Sequence, residues 1–464
     1  MKTIVDPDRA LAEGLAQIRR DFQVPVGFAP DVIAAAEAAV RRPLSGHRDR
    51  TAQRFVTLDP AASTDLDQAF AIERAGTDIL VHYAIADVGW FVDDGDVLDT
   101  EAWARGETIY LPDGKASLYP QLLSEGAASL LPNVARPAVV FAVRVAPDGI
   151  ATLDGAERAV IRSVAKLAYE TVQSEDLPRD FAELARRIAA ADAARGAARV
   201  DPPEQEIERG TDGRLHLGFR LRRAAEDQNA ALSLATNLAV AKALLAHQTG
   251  LFRVMAPPDA RATGRLRHTA RALGLHWAND ATLEQFSRAL DCTQPRQAAM
   301  MLAIRRAGNS AGYAPYHADV VPWHAALAAT YAQATAPLRR LADRYVIGAA
   351  LAIARGERIP EAIAAAFDRL PSVMARADAR AGQIERAVLD LAEAVLLTGR
   401  EGERFTASVV DVDERGARIL LTGEPVIARI PDRDVAPGDH IILRLGAADP
   451  ERRVVQFARQ FERS

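Results

Sequence analysis

The stretch LDPAASTDLDQAF, residues 58–70, decides how this chain is read. Three aspartates, Asp59, Asp65 and Asp67, fall within nine residues, with no Lys or Arg among them. Like charges this close repel and raise one another's pKa, so the cluster costs free energy unless a cation sits among them. In an extended segment Asp65 and Asp67, two apart, point to the same side, ~7 Å apart along the chain. Pro60 favours an extended or turn conformation for Asp59. The flanks RFVTL (54–58) and QAFAI (68–72) have strand character, and after a turn at Ala75-Gly76-Thr77 comes a third apolar run, DILVHYAIADV (78–88). One reading is a solvated acidic loop with Asp59 capping a turn. The other, favoured by the apolar flanks, is a metal site. Oxygen-only ligands of this kind suit Mg²⁺ or Mn²⁺ rather than zinc.

At 464 residues the chain exceeds one ordinary core, so two or three domains are expected. The N-terminus, MKTIVDPDRALAEG, has no apolar signal region. The most apolar run, ALSLATNLAVAKALLA (231–246), is interrupted by Lys242 and reads as a buried helix rather than a membrane span. Cys292 is the only cysteine, which excludes an intrachain disulfide and a cysteine-rich zinc site; a cytoplasmic location is expected. Of 57 basic residues four are Lys, so 53 are Arg, the side chain that forks onto phosphate oxygens. Net charge is −5, so any nucleic-acid binding requires positive charge focused in a groove. Residues 301–345, with Arg305, Arg306, Arg339, Arg340 and Arg344 against two aspartates, are a candidate.

Residues 1–50 pattern as helices at about 8–20 and 30–41, and residues 51–150 as strands with turns. A helix is expected over 180–199, a hairpin over 205–222, and a long helical region over 226–400. From Phe405 short alternating strands separated by ERG, TGEP and APGD predict a small antiparallel barrel of OB type. Its 11 Arg against 12 acids over 400–464 do not by themselves make it an RNA binder. In YAQATAPLRRLADRYV (331–346), Pro337 is expected at the first helical position, which puts Arg339 and Arg340 in the first turn. Cations there oppose the helix dipole, and a bound anion accounts for them; pairing with Asp343 is the alternative. Tyr110 and Tyr119, on a proline-punctuated loop, and Phe252, after a helix stop, are either core plugs or base-stacking platforms. Glu385 and Arg386 pattern as a solvated helix face.

Asp59-Pro60, Asp65-Leu66-Asp67, VHYAIADV, the YLP…SLLP loop and TAPLRRLADRY, in that order, resemble the RNB family of ribonuclease II-type exoribonucleases over residues 51–400. The resemblance implies an α+β chain: a small N-terminal helical domain (1–50), an RNB catalytic domain (51–400) and an OB-type barrel (403–464). It implies Mg²⁺-dependent (Mn²⁺ as substitute), processive 3′→5′ hydrolysis of single-stranded RNA to nucleoside 5′-monophosphates, with structured RNA as a further candidate substrate where no cold-shock barrels narrow the entrance. It assigns Asp59, Asp65 and Asp67 to metal, Asp67 and Arg339 to catalysis, and Arg340 to RNA binding. Tyr110 and Phe252 become the clamp on the stacked 3′ bases, and Glu385 a neighbour of the last nucleotide. A monomer with no membrane association is expected.

The chain departs from the family pattern where a fourth aspartate is usual and Gln68 stands instead; its carbonyl is read as a weaker ligand. Ala336 replaces a common Ser, and 229–237 lacks a usual acidic pair. The first 50 residues are too short for two cold-shock barrels. The runner-up reading is a catalytically impaired RNA-binding regulator on the same scaffold. Others are a different phosphodiesterase, acting on DNA or internally, and a non-catalytic protein whose acidic loop holds a structural ion.

Overall fold

The structure, a computed structural model, describes residues 1–460 apart from 5, 7–8, 199, 211–213 and 221. The architecture is α+β. The sequence around the aspartates forms three successive strands, Phe55–Asp59, Gln68–Ala75 and Asp78–Ala86. Gly76, at φ 65°, makes the two-residue turn between the last two, where Ala75 pairs with Asp78. Asp78–Ala86 pairs onward with Ala135–Val145, and that strand with Ala151–Ala168. The last strand then runs parallel to Phe55–Asp59. The five strands therefore close on themselves, which removes free sheet edges. Phe55, Phe70, Tyr83 and Phe141 are fully buried in this ring, each contributing ~1.5–3 kcal/mol of burial.

Helix Phe181–Ala194 stacks Phe181 on Phe70 at 5.4 Å. Helix Ala224–Ala246 packs on the same sheet. By length and composition it is the one described helix able to cross a membrane; here just over half of its most apolar window is buried in the fold. Leu341–Ala354 and the 37-residue helix Glu361–Leu397 complete the helical layer. Leu11, Leu15 and Ile18 of helix Ala10–Asp21 share a core with Ile384, Val388 and Leu391 of the long helix. Gly14 allows this approach: a Cβ there would lie 2.6 Å from the Leu391 methyls. Lys2–Thr3 adds a strand to the hairpin Glu204–Arg209 and Leu215–Arg220. The C-terminal barrel has strand order Ile427–Ile430, Gly416–Leu421, Arg404–Asp413, His440–Asp449, Val454–Gln460, with its own buried core.

Two local expectations are corrected. The long helical region expected over 226–400 is interrupted by a two-stranded ribbon, Leu251–Val254 with Gly312–Pro315, because each is an extended partner for the other. The helix expected to start at Pro337 starts at Leu341. The buried Asp343 carboxylate accepts the backbone N–H groups of Thr335 (2.9 Å) and Ala336 (2.7 Å) and so folds 335–340 into a turn ahead of the helix.

Candidate active site

Asp59 ends its strand, and Asp67 immediately precedes the next. The loop between them is held on both sides. Lys166 Nζ donates to the carbonyls of Ala61 (2.7 Å) and Ser63 (2.6 Å). Ser129 Oγ donates to the Thr64 carbonyl and accepts the Leu66 N–H. Asp67 is buried, 5% exposed. Its Oδ1 accepts the Leu338 N–H at 2.7 Å, and Arg339 Nε lies 3.6 Å from its Oδ2. The turn around Asp343 therefore delivers both a backbone donor and a cation to an aspartate 271 residues upstream.

Burial dominates the electrostatics. It pushes the Asp67 carboxyl up to about 7, against the pull of Arg339 and the Leu338 N–H. Asp59 is pushed up to about 6 by burial; Arg339 and Lys166 oppose this and Asp65 adds to it. Two desolvated carboxylates thus face one half-exposed guanidinium. The pair is short of positive charge.

The structure does not bring all the sequence candidates to this point. Asp65, near enough to raise Asp59, is itself engaged: one oxygen pairs with Lys115 Nζ at 2.8 Å, and the other accepts from the Tyr110 hydroxyl at 2.9 Å. Lys115 also reaches Glu125 at 3.2 Å. Among the described residues no three His, Cys, Asp or Glu side chains are grouped to hold a metal. The hard oxygen donors that fit a divalent cation are Asp59 and Asp67. The expectation that Gln68 is a ligand is corrected. Gln68 lines the cleft, but its carbonyl already accepts from the buried Tyr83 hydroxyl and from Ser233 Oγ (2.9 Å) in that wall. Arg340 also lines the cleft, but its Nε and Nη2 donate to the Asp343 carboxylate at 2.9 and 2.8 Å, and it closes the turn.

The aromatic candidates divide. Tyr110 is 53% exposed, with its hydroxyl on Asp65, and presents a free ring face. Phe252 is 0% exposed and sits in the main core with Leu251, so the expected clamp partner is corrected: a ring with no exposed face stacks on no base. Tyr119 is likewise buried. Glu385 is exposed on the long helix and lines a different cavity, so its place beside the last nucleotide is also corrected.

A cleft of about 1070 Å³ opens on Asp59, Gln68 and Arg339. Its walls add Tyr169, His324 and Tyr331, which sequence reading missed as wall residues. Tyr169 accepts from Asn229 Nδ2 at 2.7 Å, and Asn237 holds the 331–335 segment through Tyr331, Ala334 and Thr335. Asn229 and Asn237, eight apart on one helix, were the signal in the sequence for these contacts.

The comparisons with known proteins bear on the family and the fold. The RNB domain model matches residues 47–349, and the model of the RNase II-type exonuclease C-terminal S1 domain matches 403–460. Ribonuclease R of Aquifex aeolicus is 26% identical over 95% of this chain and 69% of its own length. Exoribonuclease 2 of Salmonella newport is 30% identical over 83% of this chain and 62% of its own. The chain thus spans about two thirds of the length of these relatives. Mycoplasma genitalium RNase R, solved with ribose-methylated single-stranded RNA, superposes with a TM-score of 0.85 at 19% identity, over 98% of this chain and 79% of that one. The chain belongs to the RNB family of ribonuclease II-type exoribonucleases, with an S1-type barrel at its C-terminal end.

Proposed function

We propose that this chain degrades RNA from the 3′ end, one nucleotide at a time, and releases nucleoside 5′-monophosphates. The observation that carries the reading is the charge deficit of Asp59, which lines the cleft, and of Asp67, buried behind the cleft-lining Arg339. A bound divalent cation, Mg²⁺ or Mn²⁺, held by Asp59 and Asp67 would supply Lewis-acid charge to the scissile phosphate. Arg339, half-exposed and loosely tied to Asp67, is placed to neutralise charge developing on that phosphate. The Leu338 N–H fixes the Asp67 carboxylate, so its orientation costs no reorganisation during reaction. Tyr110 offers its ring to a base, and Tyr169 and Tyr331 line the path of the strand. Stacking of this kind reads no base edge, so sequence preference is weak. A single-stranded 3′ end is the substrate, acted on by a monomer in the cytoplasm.

One observation favours the runner-up, a scaffold that binds RNA without turnover: Gln68 adds neither charge nor a free carbonyl. The two readings separate on a 5′-labelled, single-stranded RNA incubated with Mg²⁺ or EDTA. A ladder shrinking from the 3′ end, lost in EDTA and in Asp67→Asn, is the expected result. Bound, intact RNA under every condition would leave only the regulator.

A further inference from the structure

The resemblance counts Asp65 among the metal ligands, and the structure gives that carboxylate a different cation. Lys115 Nζ lies 2.8 Å from one Asp65 oxygen and 3.2 Å from a Glu125 oxygen, and the Tyr110 hydroxyl donates to the other Asp65 oxygen at 2.9 Å. The remaining Glu125 oxygen accepts from Thr64 Oγ1 at 2.7 Å. Every oxygen of the two carboxylates therefore has a partner from the chain itself. The Lys115 side chain is largely enclosed between them, 18% exposed. The residue type is unusual in this chain. Of 57 basic residues four are lysines, and two of the four, Lys115 and Lys166, reach the loop between Asp59 and Asp67. An ammonium is a compact point charge, closer to a metal ion in shape than a forked guanidinium is.

The backbone is arranged for this grip. Tyr110 and Lys115 are directly paired across the hairpin of Ile109–Leu111 and Gly114–Ala116, so neighbouring side chains hold one carboxylate. A hairpin this short is marginal by itself. Asp65 ties down its side chains, and Arg19 holds its tip through Asp113 at 2.8 Å. The other two aspartates are left differently. Asp67 has the Leu338 N–H and a guanidinium 3.6 Å away, and Asp59 lines the cleft. We infer that Lys115 is a built-in counter-cation: it occupies the carboxylate that the resemblance gives to a metal, so the site takes a single divalent cation, on Asp59 and Asp67, rather than the pair common in nucleases. A cation at Asp65 would have to displace the ammonium, strand its enclosed charge and break the tie to Tyr110. Gln68 offers no compensation, since it is uncharged and its carbonyl is held by Tyr83 and Ser233.

The inference rests on the proposed function, since the single cation is the one read at Asp59 and Asp67, and the test separates the two. Mn²⁺ bound per chain would be counted by electron paramagnetic resonance in the wild type, Lys115→Met, Lys115→Arg and Lys115→Met/Asp65→Asn. Each would be measured alone and with a single-stranded RNA whose 3′-terminal phosphorothioate linkage resists cleavage. The wild type is expected to bind about one ion in both states and Lys115→Met about two, with a spectrum broadened by the second ion close by. Lys115→Arg, which keeps the charge, and the double variant, which removes the freed carboxylate, are each expected to bind about one. Should Lys115→Met fail to fold, Lys115→Gln, uncharged but still able to donate to Asp65, takes its place. Two ions in the wild type, or no second ion in the uncharged variant, would overturn the inference and leave the functional reading standing. If the wild type binds no ion while the uncharged variant gains one that Asp65→Asn removes, the cation at Asp59 and Asp67 falls and the role of Lys115 stands. No ion in any of these proteins would sink both.

Discussion

The cleft and a second charged cavity meet their charges in opposite ways. In the cleft two buried carboxylates share one guanidinium, so the site lacks positive charge. In a recess between the long helix and the C-terminal barrel, Arg386 and Arg418 have no carboxylate at ion-pair distance among the described residues, although Glu385 and Asp390 line it with them. The recess holds both signs of charge in its own lining, and the cleft is left short of one. The difference teaches how one chain of net charge −5 handles RNA: a cation mediates at the point of chemistry.

Breaking the cleft gives the largest expected effect. Asp67→Asn removes the charge but keeps the Leu338 hydrogen bond, and is expected to lower the cleavage rate at least ~10³-fold while RNA affinity in EDTA holds. Single-turnover cleavage and anisotropy measure the two terms. Arg339→Ala is expected to cost ~10²–10³-fold in the same rate. Arg340→Ala acts differently, because it frees the Asp343 carboxylate that shapes the turn; its loss is expected to appear first as a lower melting temperature.

The pH dependence sharpens the contrast. Asp59 and Asp67 are raised to about 6 and 7, so they hold protons that a cation must displace. Cation affinity is therefore expected to rise steeply from about pH 5 to 8, with proton release on binding measurable by titration in buffers of different ionisation enthalpy. Glu393, under the recess, gives a stability effect of opposite sense. Its folded value of about 8 lies above the ordinary carboxyl range, so the folded state keeps a proton that the unfolded chain has lost. Its contribution to stability is present below about pH 4.5 and is lost as pH rises toward 8. Glu393→Gln is expected to flatten this decline by roughly 2 °C in melting temperature between the two limits.

The smallest effects concern the aromatics. Tyr110→Ala is expected to weaken short RNAs by ~1–3 kcal/mol, as loss of one stacking ring does. Phe252→Ala is expected to destabilise the fold by ~3–5 kcal/mol, seen in denaturant unfolding, with no loss of stacking in the enzyme that stays folded.

These two residues also mark what the sequence could carry. The strands around LDPAASTDLDQAF were legible as short apolar runs bounded by turn residues, and the barrel strands from Phe405 by their local alternation. Both aromatics lie on short strands beside turns, and no local signal separates a core ring from an exposed one. Ring closure was not legible, because it depends on Ala151–Ala168 finding a strand about 100 residues upstream. Gln68 looked like a weakened ligand; its real partners, Tyr83 and Ser233, lie 15 and 165 residues away. The Arg340–Asp343 pair was within reach, since it spans only three residues.

The measurement that bears most directly on the central claim is Mn²⁺ binding to the wild type and to Asp59→Asn, Asp65→Asn and Asp67→Asn, followed by electron paramagnetic resonance at pH 8. The account expects binding to be lost in the Asp59 and Asp67 variants and largely kept in Asp65→Asn, whose carboxylate is committed to Lys115 and Tyr110. Loss in Asp65→Asn as deep as in Asp67→Asn, or undiminished binding in all three, would contradict it.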